Sequence, residues 1–236
     1  MRSAQYYAVL TGDIIGSTGY HKVTKKSLGE PITSAFGIIK TWKKQLIYSP
    51  VQIYRGDSFQ VVLNDPVYAL RAAVIIRAAL RSFAKVPAPA RLLDCRIAIG
   101  IGKTELAKLP QHQINNDTSN WLGKAFTYSG ALLDDKESRG NLMVRTPWSN
   151  INKELEMEFA LLDLIIDNWG FGRSEVMKYR IQGLKQEDIS KELNISQPAV
   201  NRRLKGAGDH AINSLCRRFE QLIGEKIGTT IYKREL

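Results

Sequence analysis

Two rhythms of apolar and polar positions run along this chain. Tyr6 to Leu10 is an unbroken run of β-formers followed by Thr11-Gly12-Asp13, which predicts a buried strand ending at Asp13. Val51 to Leu63, VQIYRGDSFQVVL, is two short β-rich runs joined at Arg55-Gly56-Asp57-Ser58, and a Gly-Asp centre between such runs signals a hairpin with Asp57 at its tip. Leu92 to Ile101 predicts another strand, with Gly100-Ile101-Gly102-Lys103 as the turn that ends it. Asn141 to Thr146 predicts a last strand, stopped by Pro147.

Between these runs the period changes to three and four. Ile32, Phe36, Ile39, Trp42 and Leu46 predict a helix over 24–47, with Pro31 in a first turn and a break near Gly29. Asp65 as N-cap and Pro66 at the first helical position start a helix that runs to about Phe83. Residues 85–90 carry two prolines and predict a loop, and 102–120 are polar and irregular. Trp121 to Leu133 predicts a helix. The order strand, helix, strand, strand, helix, strand is the ferredoxin-like βαββαβ pattern, so the expected class is α+β, an antiparallel sheet with helices on one face.

From Ile151 the pattern is helical throughout, which places a domain boundary near Pro147 to Asn150: residues 1–148, then a helical unit over 149–236. Leu155, Phe159, Leu162, Ile165 and Ile166 make one apolar face, broken at Trp169-Gly170-Phe171-Gly172. Ser174 to Ile181 predicts a short helix closed by Gly183, and Ala211 to Ile227 a final amphipathic one. Between them, over about 184–206, Leu184, Ile189, Leu193, Ile195, Val200 and Leu204 have the spacing of a helix-turn-helix. Its first helix is Gln186 to Leu193, Asn194 takes the left-handed position between the helices, and Ser196 caps the second. In that second helix Gln197, Asn201, Arg202, Arg203 and Lys205 are of the types that read base edges or phosphates, and Ala199 leaves room for close approach. The alternative is a helical hairpin that packs within the protein or against a partner.

Charge narrows the choice of partners. The 236 residues carry a net charge of +11. Residues 1–150 hold 20 basic against 10 acidic side chains, and 151–236 hold 14 against 13, so the excess lies in the N-terminal part. That fits a polyphosphate there, or a solvated basic surface. Cys95 and Cys216 form no CxxC pair, and no disulfide framework is indicated. No apolar run approaches the roughly 18 residues of a membrane span, and no signal peptide is evident, so the expectation is a cytoplasmic chain with no membrane contact.

The chemistry converges on two aspartates. If the hairpin pairs beside the first strand, Asp13 and Asp57 face each other, and two hard oxygen ligands suit Mg²⁺ (or Mn²⁺), with waters and phosphate oxygens completing the shell. Gly16 permits close backbone approach, and Ser17 and Thr18 add hydroxyls and N–H groups that suit an anion. Each aspartate is also a turn-forming type, Asp57 above all.

TGDIIGST, RGDSFQVVL, RIAIGIG and GKAFTYSGALL, over roughly 5–146, stand in the order found in class III nucleotidyl cyclase catalytic domains, which this part resembles. With the attached helix-turn-helix, nearly the whole chain resembles the SatD-like family, and ISQPAVNRRLKGAGDHAINSL resembles sigma-factor region-four domains. The cyclase resemblance implies metal ligands at Asp13, Asp57 and the carbonyl of Ile14. It implies triphosphate contacts at the N–H groups of Ile15 to Thr18, two-metal chemistry and a homodimer that completes the site. It also exposes departures. Thr127 and Ala131 stand where the family has an Asn and a transition-state Arg, while Asn120 and about Ile53 stand at the base-reading pair. Arg55, Arg139 or Lys124 are the candidate replacement cations. Three readings follow. One is a DNA-binding regulator that binds Mg-nucleotide at Asp13 and Asp57. The second is an active cyclase or other metal-dependent phosphoryl-transfer enzyme. The third is a DNA-binding protein whose N-terminal part is only a dimer scaffold.

Overall fold

Gln5–Ile14 (β1) is the strand that the others flank. A computed structural model describes residues 5–17, 28–83, 92–104, 123–135, 137 and 140–228. The expected loop over 85–90, the expected irregular stretch 102–120 beyond Thr104, and the expected helical start at 24–27 lie outside the described residues, while 102–104 belongs to a strand. Gln52–Tyr54 (β2) and Ser58–Leu63 (β3) form the hairpin, Cys95–Thr104 (β4) follows, and Leu142–Arg145 (β5) closes the sheet. The order is β2-β3-β1-β4-β5, with β1 antiparallel to both neighbours and β5 parallel to β4. The first four strands thus follow the split βαβ order in a mixed α+β fold.

Period-2 alternation sorts the two faces. Ala8, Leu10 and Ile14, with Phe59, Val61 and Leu63 and with Cys95, Ile97, Ile99 and Ile101, belong to the main buried core. Gly29–Trp42 (α1) and Ala69–Arg81 (α2) pack into that core, and the Phe36 ring meets Phe59 edge-on at 5.3 Å. On the other face Tyr7, Val9 and Val62 gather with Ala125 of Lys124–Asp134 (α3). Helices therefore lie on both faces, which corrects the one-sided expectation.

The cause is legible in β4. A Cβ on Gly100 would lie 2.0 Å from the Ala125 carbonyl oxygen, and one on Gly102 would lie 2.8 Å from the Ala125 nitrogen. The two glycines seat α3 against the strand. They do not make the expected turn: β4 continues through Thr104, pairing Gly100 with Val9 and Gly102 with Tyr7. The first helix also stops earlier than its periodicity suggests. It ends at Trp42, Gln45 takes φ 64°, and Leu46 is buried from extended chain, where Tyr48 N–H donates to the Val62 carbonyl at 2.8 Å. Asp65 does accept from Val67 N–H, and Pro66–Tyr68 forms a 3₁₀ turn leading into α2.

Five helices complete the described chain: Ser149–Asp167 (α4), Phe171–Arg180 (α5), Gln186–Leu193 (α6), Gln197–Ala207 (α7) and Asp209–Ile227 (α8). Leu155, Phe159, Leu162 and Ile166 of α4 are buried, as their spacing predicts, while Ile165 is half-buried. Asn194 is left-handed at φ 49°, and Ser196 Oγ accepts from Ala199 N–H. Gly183 has φ +99°, a backbone that suits the residue without a Cβ. Both cysteines are free and buried. No helix among the described residues is long and apolar enough to cross a membrane.

Helices and sheet meet at a knot of charge. Arg77, fully buried, holds Asp94 through two bonds of 2.9 and 2.7 Å, Asp163 at 2.5 Å and Asp167 at 2.8 Å. Arg81 binds the same Asp94 at 2.6 Å. Asp163 accepts in addition from the N–H groups of Asn141 and Leu142 at the start of β5. Buried charges persist when paired and hydrogen-bonded, and these are.

Candidate functional site

The sheet brings Asp13, on β1, beside the β2–β3 turn that carries Asp57. Asp13 lies opposite Ser58 in the β1–β3 register, and Ile14 N–H donates to the Asp57 carbonyl at 2.9 Å. Asp57 closes the hairpin turn, its N–H donating to the Tyr54 carbonyl at 3.2 Å. The central turn residues, Arg55 and Gly56, have φ 52° and 84°, the positive values that match a hairpin to strand twist. Ser58 Oγ donates to Asp57 Oδ1 at 3.3 Å.

Asp13 is the incompletely satisfied member. It is half-buried, yet its Oδ1 is shielded from solvent and has no hydrogen-bond partner. Burial raises its pKa above the ordinary carboxylate value; the Arg96 charge pulls it down, and the neighbouring Asp57 pushes it up again. An unpartnered buried carboxylate oxygen is costly, and a cation is what would satisfy it. The other such atom among the described residues is Glu158 Oε2 on α4, beside the exposed Glu154–Arg218 pair.

Arg96 is a residue that sequence reading missed. It pairs in register with Asp13 from the other side, on β4. Equal register on paired strands puts the two side chains on one sheet face. The alternation in Cys95-Arg96-Ile97-Ala98-Ile99 carried the signal, but which strand lay beside β1 was needed to use it.

Toward α3 the face stays polar. Gln60 Nε2 donates to Thr11 Oγ1 at 3.1 Å, and Thr11 Oγ1 donates to Ser129 Oγ at 3.0 Å. Ser129 is fully buried and faces the sheet. Thr127, two residues before it, is exposed and its hydroxyl donates to the Gly123 carbonyl at 3.4 Å. Ala131 and Lys124 are exposed as well.

The loop after β1 departs from the expected cradle at one atom. Ile15 N–H already donates to the Asp94 carbonyl at 2.9 Å, so it is not free for an anion in this conformation. Gly16 is exposed at φ +72° with open space where a Cβ would stand, and Ser17 is half-buried. Arg55 is exposed at the turn, and Ile53 is exposed on β2. Thr18, Asn120 and Arg139 lie outside the described residues. Among the described residues no group of three or more His, Cys, Asp or Glu side chains is placed to hold a metal ion. Asp13 and Asp57 fit a hard cation as a pair only, with waters or phosphate oxygens making up the rest.

Far along the chain, Gln197, Asn201 and Lys205 recur every four residues on α7 and are exposed, as are Ser196 and Arg202. Ala199 is half-buried. Arg203 is half-buried, bound to Glu175 at 3.0 Å and lying over Gly172.

No family model and no curated protein matches the chain. Among solved structures, the active GGEEF domain of a diguanylate cyclase from Vibrio cholerae is similar over 61% of this chain and 85% of its own, at 15% identity and a TM-score of 0.40. So distant a likeness says nothing of what this chain binds.

Proposed function

We propose that the protein binds a divalent cation, Mg²⁺ or Mn²⁺, together with a nucleotide's phosphates at the Asp13 and Asp57 end of the sheet, and binds DNA through α6 and α7. The observation that carries the first half is the shielded Asp13 Oδ1, left without a partner next to a second carboxylate. Two adjacent carboxylates repel, and a shared divalent ion reverses the sign of that interaction. Arg96, level with Asp13, and the open backbone at Gly16 give phosphate oxygens a cation and room to approach. The resemblance to the SatD-like family supports the joining of such a site to a DNA reader, and the cyclase resemblance supports a homodimer that completes it. For the second half, the support is the exposed row Gln197, Asn201 and Lys205 with Arg202 beside it. Arg203 belongs to the inner face of the motif in this reading, held by Glu175.

Turnover by cyclisation has less support. Thr127 and Ala131 supply no cation on α3, and losing an electrostatic stabiliser of that kind costs orders of magnitude in rate. Calorimetric titration of the full chain with Mn²⁺ and each of the four nucleoside triphosphates tests the reading. Saturable binding that disappears in Asp13→Asn is the expected result, and no binding by the wild type overturns it. In the same preparation, Arg202→Ala weakens binding to mixed-sequence duplex DNA and lowers its salt dependence if α7 meets phosphates.

A further inference from the structure

The carboxylate pair and α7 belong to opposite ends of the chain, but a short series of polar contacts joins them. Ile15 N–H, two residues past Asp13, donates to the Asp94 carbonyl at 2.9 Å. The Asp94 carboxylate is held by Arg81 at 2.6 Å and by Arg77. Arg81 reaches on to the Trp169 carbonyl at 2.7 Å and to that of Asp167 at 3.0 Å. Trp169, 1% exposed, donates its indole N–H to the Ala207 carbonyl at 2.9 Å. Ala207 is the last residue of α7.

Every link is a group whose alternative partners are few. The carbonyls at a helix's C-terminus have no partner within the helix, so the Trp169 indole fixes where α7 ends. The next residue, Gly208, turns at φ +76° and packs against Ile165 of α4. Asp94 is the pivot. Its backbone oxygen holds the loop beside Asp13, and its side chain is clamped by two arginines from α2. A shift of the Ile15 loop therefore moves a residue that cannot move alone, because the charges it neutralises are buried.

We infer that occupancy of the Asp13–Asp57 pair and the placement of α7 are coupled through Ile15, Asp94, Arg81, Trp169 and Ala207. This rests on the proposed cation site. The series of contacts is the physical connection, and coupling exists only if the two occupancy states differ in the free energy of this series. A cation drawing Asp13 inward pulls on Ile15 and so on Asp94. The end of α7, and with it the row Gln197, Asn201 and Lys205, then shifts its balance of positions.

Amide hydrogen exchange on the full chain, with and without Mn²⁺, tests this, while electron paramagnetic resonance measures Mn²⁺ binding in the same samples. In the wild type, Mn²⁺ changes exchange across α7 by about fivefold, the low end of ordinary coupling energies. Trp169→Phe keeps an aromatic ring but deletes the N–H; it binds Mn²⁺ within about twofold of the wild type and loses the α7 response. Arg218→Met, on an exposed pair outside the series, keeps both. If Mn²⁺ binds and α7 exchange is unchanged in the wild type, the coupling is overturned and the cation site stands. If Trp169→Phe keeps the full response, this route is overturned. If Mn²⁺ does not bind the wild type, the cation site itself fails and the coupling falls with it.

Discussion

Among the described residues, two gatherings of acidic side chains at the sheet are treated in opposite ways. At the junction of α2, α4 and the sheet, Asp94 and Asp163 are buried and neutralised by Arg77, with Arg81 sharing Asp94 and Asp167 at the rim. Where β1 ends beside the β2–β3 turn, Asp13 has one shielded oxygen without a hydrogen-bond partner, and the charge of Asp57 in that turn adds to the cost of its burial. Both sites carry the cost of taking carboxylates out of water. Only the first answers it fully from within the chain; at the second, the Arg96 charge and the Ser58 hydroxyl offset it in part and leave Asp13 Oδ1 unpartnered. A carboxylate that the fold satisfies is there for structure; one that the fold shields and leaves unsatisfied is a candidate for something from outside.

The largest test of that contrast is Arg77→Met. It leaves Asp94 and Asp163 buried without their main cation, and breaking a buried pair costs roughly 3–5 kcal/mol. Urea unfolding should show a correspondingly lower midpoint, and a loss below about 1 kcal/mol would mean that the knot is not structural. Asp13→Asn should do the reverse. Burial holds the Asp13 carboxyl above its ordinary value, so the folded chain binds that proton more tightly than the unfolded chain does. Wild-type stability therefore falls as pH rises from the unfolded carboxylate's value, about 3.9, through the raised folded one. The amide does not titrate, so Asp13→Asn is the more stable protein at pH 7, and its advantage shrinks on acidification. Unfolding midpoints at pH 7 and pH 4 give the sign, and a destabilised Asp13→Asn at pH 7 would place Asp13 with the structural acids. The smallest effect belongs to Arg218→Ala. Its pair with Glu154 at 2.9 Å is 43% and 36% exposed, and exposed pairs contribute about 0.2–1 kcal/mol. A cost equal to that of Arg77→Met would erase the distinction between exposed and buried charge.

Parts of each site were readable along the chain. Asp13 at a strand's end and Asp57 in a Gly-Asp turn announce themselves through turn chemistry, which involves only neighbours. Arg96 did not, because its importance lies in being level with Asp13, and register is a property of pairing. Arg77 was hidden more thoroughly. In ALRAAVIIRAALR its charge reads as the solvent side of an amphipathic helix, yet α2 is buried almost all round. Its partner Asp163 is 86 residues away. Gly100 and Gly102 misled for a related reason. Glycine marks a turn or a close approach, and only the position of α3 chose between them.

The sequence alone determined what depends on neighbours within about one turn of chain: the strand and helix periods, the Asp65 and Ser196 caps, and the left-handed Asn194 between α6 and α7. These follow from sterics and hydrogen bonds among residues a few positions apart, so no distant partner can alter them cheaply. The tertiary structure decided which face α3 covers, which strand carries Arg96 to Asp13, and which acids Arg77 neutralises. Burial and electrostatics act through space. A charge is structural or available according to what the folded chain places beside it, and no local pattern contains that information.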